Sequence, residues 1–298
     1  MSFYQEHEKE ITTLQLISQI VGKLKLEYAY QEPQWAHVIL DITPRGFTTG
    51  ILGQGEDVFD IEVDLVNSRI VIRTMSGDER VTLADGKAIR TYYEEIMAAA
   101  QQLGLELSIH TKPQEMATTI PFEEDASHHH YDADVALEIL KWFQFARDTE
   151  KAFLAPLRIR KVHPGLFWGT FDVSCIVIYD QSEPFPDDTK VIERAAFDEH
   201  MIEFGFWLGD DTDRSPTFFV LPYPFVEGTP LEIDATFPEG SPFDDGLAEY
   251  LYEMDDGRSE KEDIIRFFKS SFIRSSEHLE WEDVQHCFNA LKMKKNQT

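Results

Sequence analysis

Two consecutive segments, VFDIEVDL at 58–65 and NSRIVIRT at 67–74, constrain the fold more than any other feature of the chain. In the first, Phe59, Ile61, Val63 and Leu65 alternate with Asp60, Glu62 and Asp64. The period of two is that of a strand with one apolar and one polar face. In the second, Arg69, Val71 and Arg73 face back across an Asn67–Ser68 turn. Opposite charges then lie across the ladder, each pair contributing about 0.2–1 kcal/mol. An acidic strand facing a basic one through a short turn is an antiparallel hairpin with a salted, solvent-facing side.

The rest of the chain reads around that hairpin. Ile11, Leu14, Ile17, Ile20, Val21 and Leu24 recur at helical spacing and predict a helix over about 11–25, with WAHVILDI (35–42) as a strand and RGFTTGIL as another. Ile89, Tyr92, Tyr93, Ile96, Met97, Ala100 and Leu103 predict a helix over 87–103 ended by Gly104, and LELSI resumes strand alternation. Asp132 is placed to cap a helix beginning ADVALEILKWF. LFWGTFDVSCIVIY reads as one long strand, IEFGFWL as a second, and TFFVLPYPFV as an edge strand because of its prolines. The last sixty or so residues turn helical, with a capping box at Ser259–Glu262 and a final helix around Trp281–Met293. The class is α+β: antiparallel sheets flanked by helices in two sheet-bearing units, with a helical C-terminus. The units are expected at 1–115 and 116–298, or as one continuous domain.

Composition narrows the function. A chain of 298 residues with 42% hydrophobic content can bury a substantial core, and a net charge of -28 repels nucleic acid and anionic lipid surfaces. The N-terminal MSFYQEHEKEITT lacks the apolar centre of a signal peptide, and no apolar run of about 18 residues is present, so the expected location is the cytoplasm. Cys175 and Cys287 are too few for a disulfide framework.

Three readings of the chemistry stand side by side. Small-molecule binding draws on tryptophans set opposite the apolar strand faces with polar partners nearby: Trp35 with His37, Trp168 with Asp172, Trp207 with Glu203, and Arg45 beside Gly46 as an anion-binding candidate. On a strand, Trp168 and Asp172 would stand roughly 13 Å apart on one face of a cleft. Metal-dependent, hydrolase-like catalysis draws on PFEEDASHHHYD, with His128, Asp125 and His200 as candidate ligands of a divalent metal, though no established metal spacing is present. An acidic protein-interaction module is the third.

QIVGKLKL, WAHVILDITPRGFTTG, IPFEED followed by His128 and YD, FWGTFD, and GFW near 205 occur in that order. In these segments the chain resembles the uncharacterised bacterial family catalogued as domain of unknown function five-nine-nine-six. The resemblance implies a single full-length family unit without an established activity. It draws attention to the matching positions Trp35, His37, Arg45, Thr48, Thr49, Glu124, Asp125, His128, Tyr131, Trp168 and Asp172.

Overall fold

In the computed structural model, which describes residues 2–53, 55, 58–187, 189–210, 215–226, 231–254 and 260–290, the first helix is longer than its apolar stripe predicts. Helix α1 runs Phe3–Tyr28 and is started by Ser2, whose hydroxyl accepts from the Gln5 amide while the Gln5 side chain accepts from the Ser2 amide. The expected stripe from Ile11 to Leu24 is buried, each such aliphatic side chain contributing about 1.5–3 kcal/mol. Thr13, Ser18, Gln19 and Lys23 are buried as well, so a second, polar face of α1 is covered.

The first sheet has the order β1-β2-β3-β4-β5: Asp41–Ile42, Gly46–Thr48, Phe59–Asp64, Arg69–Thr74 and Gly77–Thr82. The hairpin register places Asp60 opposite Arg73 and Asp64 opposite Arg69, as the charge pattern requires. Asp64, however, is only 2% exposed, so that end of the polar face is covered rather than wet. Strand β5 is not legible as a strand in GDERVT; it is a charged edge strand, a common protection against strand addition. Helix α2 (Ile89–Gln102) packs on β4, β5 and α1, and Gly104 beyond it has the left-handed φ of 83° that the sequence anticipates.

Two expected strands are absent. WAHVILDI begins with a 3-10 turn, Pro33–Trp35, in which Gln34 and Trp35 have φ of 52° and 55°. Amides of Ala36 and Val38 donate to the Pro33 and Trp35 carbonyls, and only Asp41–Ile42 joins the sheet. Leu105–Ile109 is irregular.

Helix α3, Ala133–Leu154, is capped by the Asp132 carboxylate, which accepts from the amides of Asp134 and Val135 at 2.8 and 3.1 Å. The second sheet comprises β6 (Arg160–Phe167), β7 (Asp172–Ser182), β8 (Glu199–Trp207), β9 (Thr217–Tyr223), β10 (Phe243–Asp244) and β11 (Glu249–Glu253), in the order β10-β11-β9-β8-β7-β6, with the short helix α4 (Val191–Ala196) before β8. LFWGTFDVSCIVIY is therefore not one strand. It is broken at Trp168–Phe171, where the Phe171 amide donates to the Phe167 carbonyl and Phe171 has φ of 65°. Strand β9 is interior, not an edge; its ladder to β11 spans Thr217–Val220 and stops before Pro222, which therefore owes that neighbour no amide. The C-terminal region also holds two strands, β10 and β11, before α5 (Lys261–His278) and α6 (Val284–Cys287). Glu260 is the N-cap of α5, and the Ser259 of the expected capping box lies outside the described residues, as do the positions from 291 on that the expected final helix included.

By its contacts the chain divides into two compact units, one of residues 1–147, 165–173 and 206–216, the other of 148–164, 174–205 and 217–298. The expected boundary at 115/116 falls inside the first. No helix of the described residues is long and apolar enough to cross a membrane.

Candidate functional site

Within the first unit, the segments QIVGKLKL, WAHVIL and FWGTFD converge. Gly22 makes this possible: a Cβ there would lie 2.2 Å from Cγ of Trp168, so only glycine lets the indole rest on α1. Gly165 does the same against Ile39, where an added Cβ would lie 2.3 Å from a side-chain methyl. The Trp168 indole N–H donates to the Val38 carbonyl at 2.9 Å, the Lys25 ammonium donates to the Ile39 carbonyl, and Leu40 bridges Leu166. Trp168 is thus buried at a turn, satisfied and packed, instead of standing on a strand face with Asp172. Asp172, also buried, accepts from the Thr170 hydroxyl.

The polar face of α1 meets this turn. Gln15 and Gln19 side-chain amides donate to the Gly169 carbonyl at 2.7 and 3.3 Å. Gln19 also grips the main chain of Gln114 from both sides, donating to its carbonyl at 2.7 Å and accepting from its amide at 3.0 Å. One turn further, Lys23 is 5% exposed; its ammonium donates to Gln114 Oε1 at 3.1 Å and stands 5.8 Å from the Trp168 ring centroid. Burial lowers the Lys23 pKa to about 8, against the opposing pull of Glu115. A carboxylate oxygen of Glu115 occupies the space a side chain on Gly169 would need, and the Glu115 backbone is left-handed at φ 55°. Sequence reading missed Lys23, Gln19, Gln114 and Glu115. Gln15, Ser18, Gln19 and Lys23 recur at helical spacing on α1, but a polar stripe of that kind reads as a solvated face, so the sequence carries no signal that singles them out.

His37 lies in the loop that carries the Val38 carbonyl and is 5% exposed. Its Nδ1 accepts from the Glu32 amide at 3.1 Å, which places the proton of the neutral ring on Nε2. That Nε2–H is buried and has no hydrogen-bond partner among the described residues. The Trp35 ring is 5.3 Å away, inclined by 30°. Burial holds the imidazole pKa below its ordinary value, with Lys25 acting in the same direction and Glu32 against it.

Arg45 keeps different company. It donates to Asp64 at 3.2 Å, as Arg69 does at 3.1 Å and Asn67 through both its amide and its side chain. Burial acts to raise the Asp64 carboxyl, and these bonds from Asn67, Arg45 and Arg69 outweigh it and hold the group below the usual carboxylate range. Arg45 therefore braces the hairpin end. Trp207 belongs to the first unit and its indole N–H is buried with no partner among the described residues, whereas Glu203 belongs to the second.

The histidine-rich loop is docked on the start of α2, whose Ile89 and Arg90 amides donate to the carbonyls of His128 and Asp125. The buried Asp125 carboxylate accepts from the Ser127 and His128 amides and pairs with His128 Nδ1 at 2.7 Å. His129 and His130 stack on each other at 4.4 Å. His200 belongs to the other unit, where its Nδ1 accepts from the Trp281 indole at 3.2 Å and its Nε2 is 3.0 Å from the Gln181 amide. No group of three or more His, Cys, Asp or Glu able to hold a metal occurs among the described residues.

The fold and this neighbourhood define an α+β protein with two antiparallel sheets and a polar, lysine-bearing helix face buried against a tryptophan turn. A family model described as "Family of unknown function (DUF5996)" matches residues 2–287, and the chain belongs to that family. No curated protein and no solved structure matches the chain.

Proposed function

We propose that the protein binds a small, ring-bearing molecule at the His37 loop, with a carbonyl or carboxylate oxygen of the ligand accepting from His37 Nε2. The observation that carries this reading is the buried Nε2–H, which has no partner among the described residues. An unmet buried donor costs about 1–3 kcal/mol, and a ligand oxygen recovers it. Two consecutive left-handed residues, Gln34 and Trp35, hold the loop in a conformation that costs on the order of 1–3 kcal/mol each, the kind of strain that collects at binding sites. Trp35 supplies a ring face beside the donor.

The test is a thermal-shift panel of aromatic carboxylates and amides on wild type and His37→Phe, which removes the donor and keeps the ring. At least one compound is expected to raise the wild-type Tm by several degrees and to leave the variant unmoved. Equal shifts in both proteins, or none in wild type, would overturn the proposal. Because the variant also removes the unmet donor, its own stability is expected to fall by less than about 1 kcal/mol.

A metal-dependent, hydrolase-like activity is a second reading, favoured by the grip of Asp125 on His128 Nδ1, which leaves Nε2 as the nitrogen open to a metal. Metal content of wild type against His128→Ala, measured side by side, decides it.

A further inference from the structure

Lys23 lies on a helix face that ligand binding at His37 does not use, and its surroundings are those of an amine kept for chemistry. We infer that Lys23 is a nucleophilic amine that condenses with an aldehyde to form an imine, with Trp168 as the wall of the site and Glu115 as its proton carrier.

The geometry assigns a part to each neighbour. Gln114 Oε1, 3.1 Å from the amine nitrogen, accepts one N–H and orients the nitrogen lone pair. The Trp168 ring, 5.8 Å away, stabilises the positive charge that returns when the imine nitrogen is protonated, and the iminium N–H keeps the bond to Gln114. Glu115 is exposed, and its carboxylate packs on Gly169 beside that indole, where it can exchange protons with water. The amine nitrogen attacks the carbonyl carbon and a C–N bond forms. Glu115 carries the two nitrogen protons in turn to the former carbonyl oxygen, the C–O bond breaks, water leaves, and a C=N bond remains: one aldehyde and one amine give one imine and one water. Gln114 is partly exposed and is the one hydrogen-bond partner of the amine among the described residues, so the bond that holds the nitrogen reaches toward the surface. The buried position also favours the free amine at a pH where surface lysines are fully protonated, since the Lys23 pKa is about 8.

The experiment treats the full chain with propionaldehyde and cyanoborohydride across a pH series, followed by peptide mass analysis. Lys23 is expected to be trapped with a midpoint near pH 8, where exposed lysines titrate near ~10.4, giving it on the order of 100-fold more free amine at neutral pH. Glu115→Gln is expected to slow trapping at Lys23 by about tenfold or more when compared with wild type at equal folded fraction. Labelling of surface lysines with Lys23 untouched, or labelling of Lys23 with an ordinary lysine midpoint, would overturn the inference. Unaltered trapping in Glu115→Gln would remove the carboxylate from it. Neither readout involves the His37 donor, so the two proposals fail separately.

Discussion

Trp168 occupies the space that a side chain on Gly22 would fill, with its Cγ 2.2 Å from where that Cβ would begin. On an exposed helix, glycine to alanine stabilises by about 1 kcal/mol. Here Gly22→Ala is expected to destabilise by about 2–3 kcal/mol, because overpacking a rigid indole against a helix outweighs the gain in propensity. Urea unfolding followed by tryptophan fluorescence checks it. A variant as stable as wild type would mean that the indole does not rest on α1.

Asp64 is the anchor of the first hairpin and binds Arg45, Arg69 and Asn67 at once. Asp64→Asn is expected to cost about 2 kcal/mol, toward the lower end for a buried charge cluster because both arginines keep contact with water. The folded carboxyl is held below its ordinary value, so its contribution is complete above the unfolded pKa of about 4 and is lost as the pH falls through the lower folded value. Chemical denaturation of both proteins at neutral pH and again in acid should show the gap closing. A gap that stays constant into acid would locate the effect in packing, not in charge.

In the second unit, His200 Nδ1 accepts the Trp281 indole N–H at 3.2 Å, and Trp281 stacks on Tyr179 at 4.8 Å. Burial lowers the His200 pKa, and the nearby Glu183 opposes this without cancelling it. Protonating Nδ1 removes the acceptor. The imidazole therefore contributes stability that is present above the unfolded value of about 6.5 and is lost as the pH drops through the lower folded value. The emission difference between wild type and Trp281→Phe should titrate on the acid side of that unfolded value. A flat difference between about pH 7 and 5 would show that the bond does not govern the environment of this indole.

The parts of the fold legible in the sequence are those in which alternation or helical spacing acts alone. Strands β3 and β4 are readable because Asp60 and Arg73, and Asp64 and Arg69, declare their register through charge. Helix α3 is readable because Asp132 precedes a long apolar run. The turn at Trp168–Phe171 is not, because its apolar letters continue a strand pattern; the chain turns there because Gly22 and Val38, far away in sequence, offer the indole a seat and an acceptor. Helix α1 misleads in the opposite sense. Its Gln19 and Lys23 look like a solvated face, and they are buried because the chain at Gln114 and Gly169 returns to cover them. The site was half visible for the same reason: Trp35, His37 and Trp168 could be selected as residue types, whereas the lysine beside the indole could not be told from any surface lysine.

The hold of Gln19 on residue 114 separates two kinds of inheritance. Both of its bonds go to the main chain, to the amide and the carbonyl of Gln114, and neither depends on which side chain that residue carries. The segment keeps its place when the letter at 114 changes, while the group that meets Lys23 changes with it. A glutamate there would pair with the ammonium and suppress its basic form, and a leucine would remove the oxygen that accepts its hydrogen bond. Position 114 is in that sense a dial on a fixed mount, by which a substitution can retune a single amine without rebuilding the backbone around it.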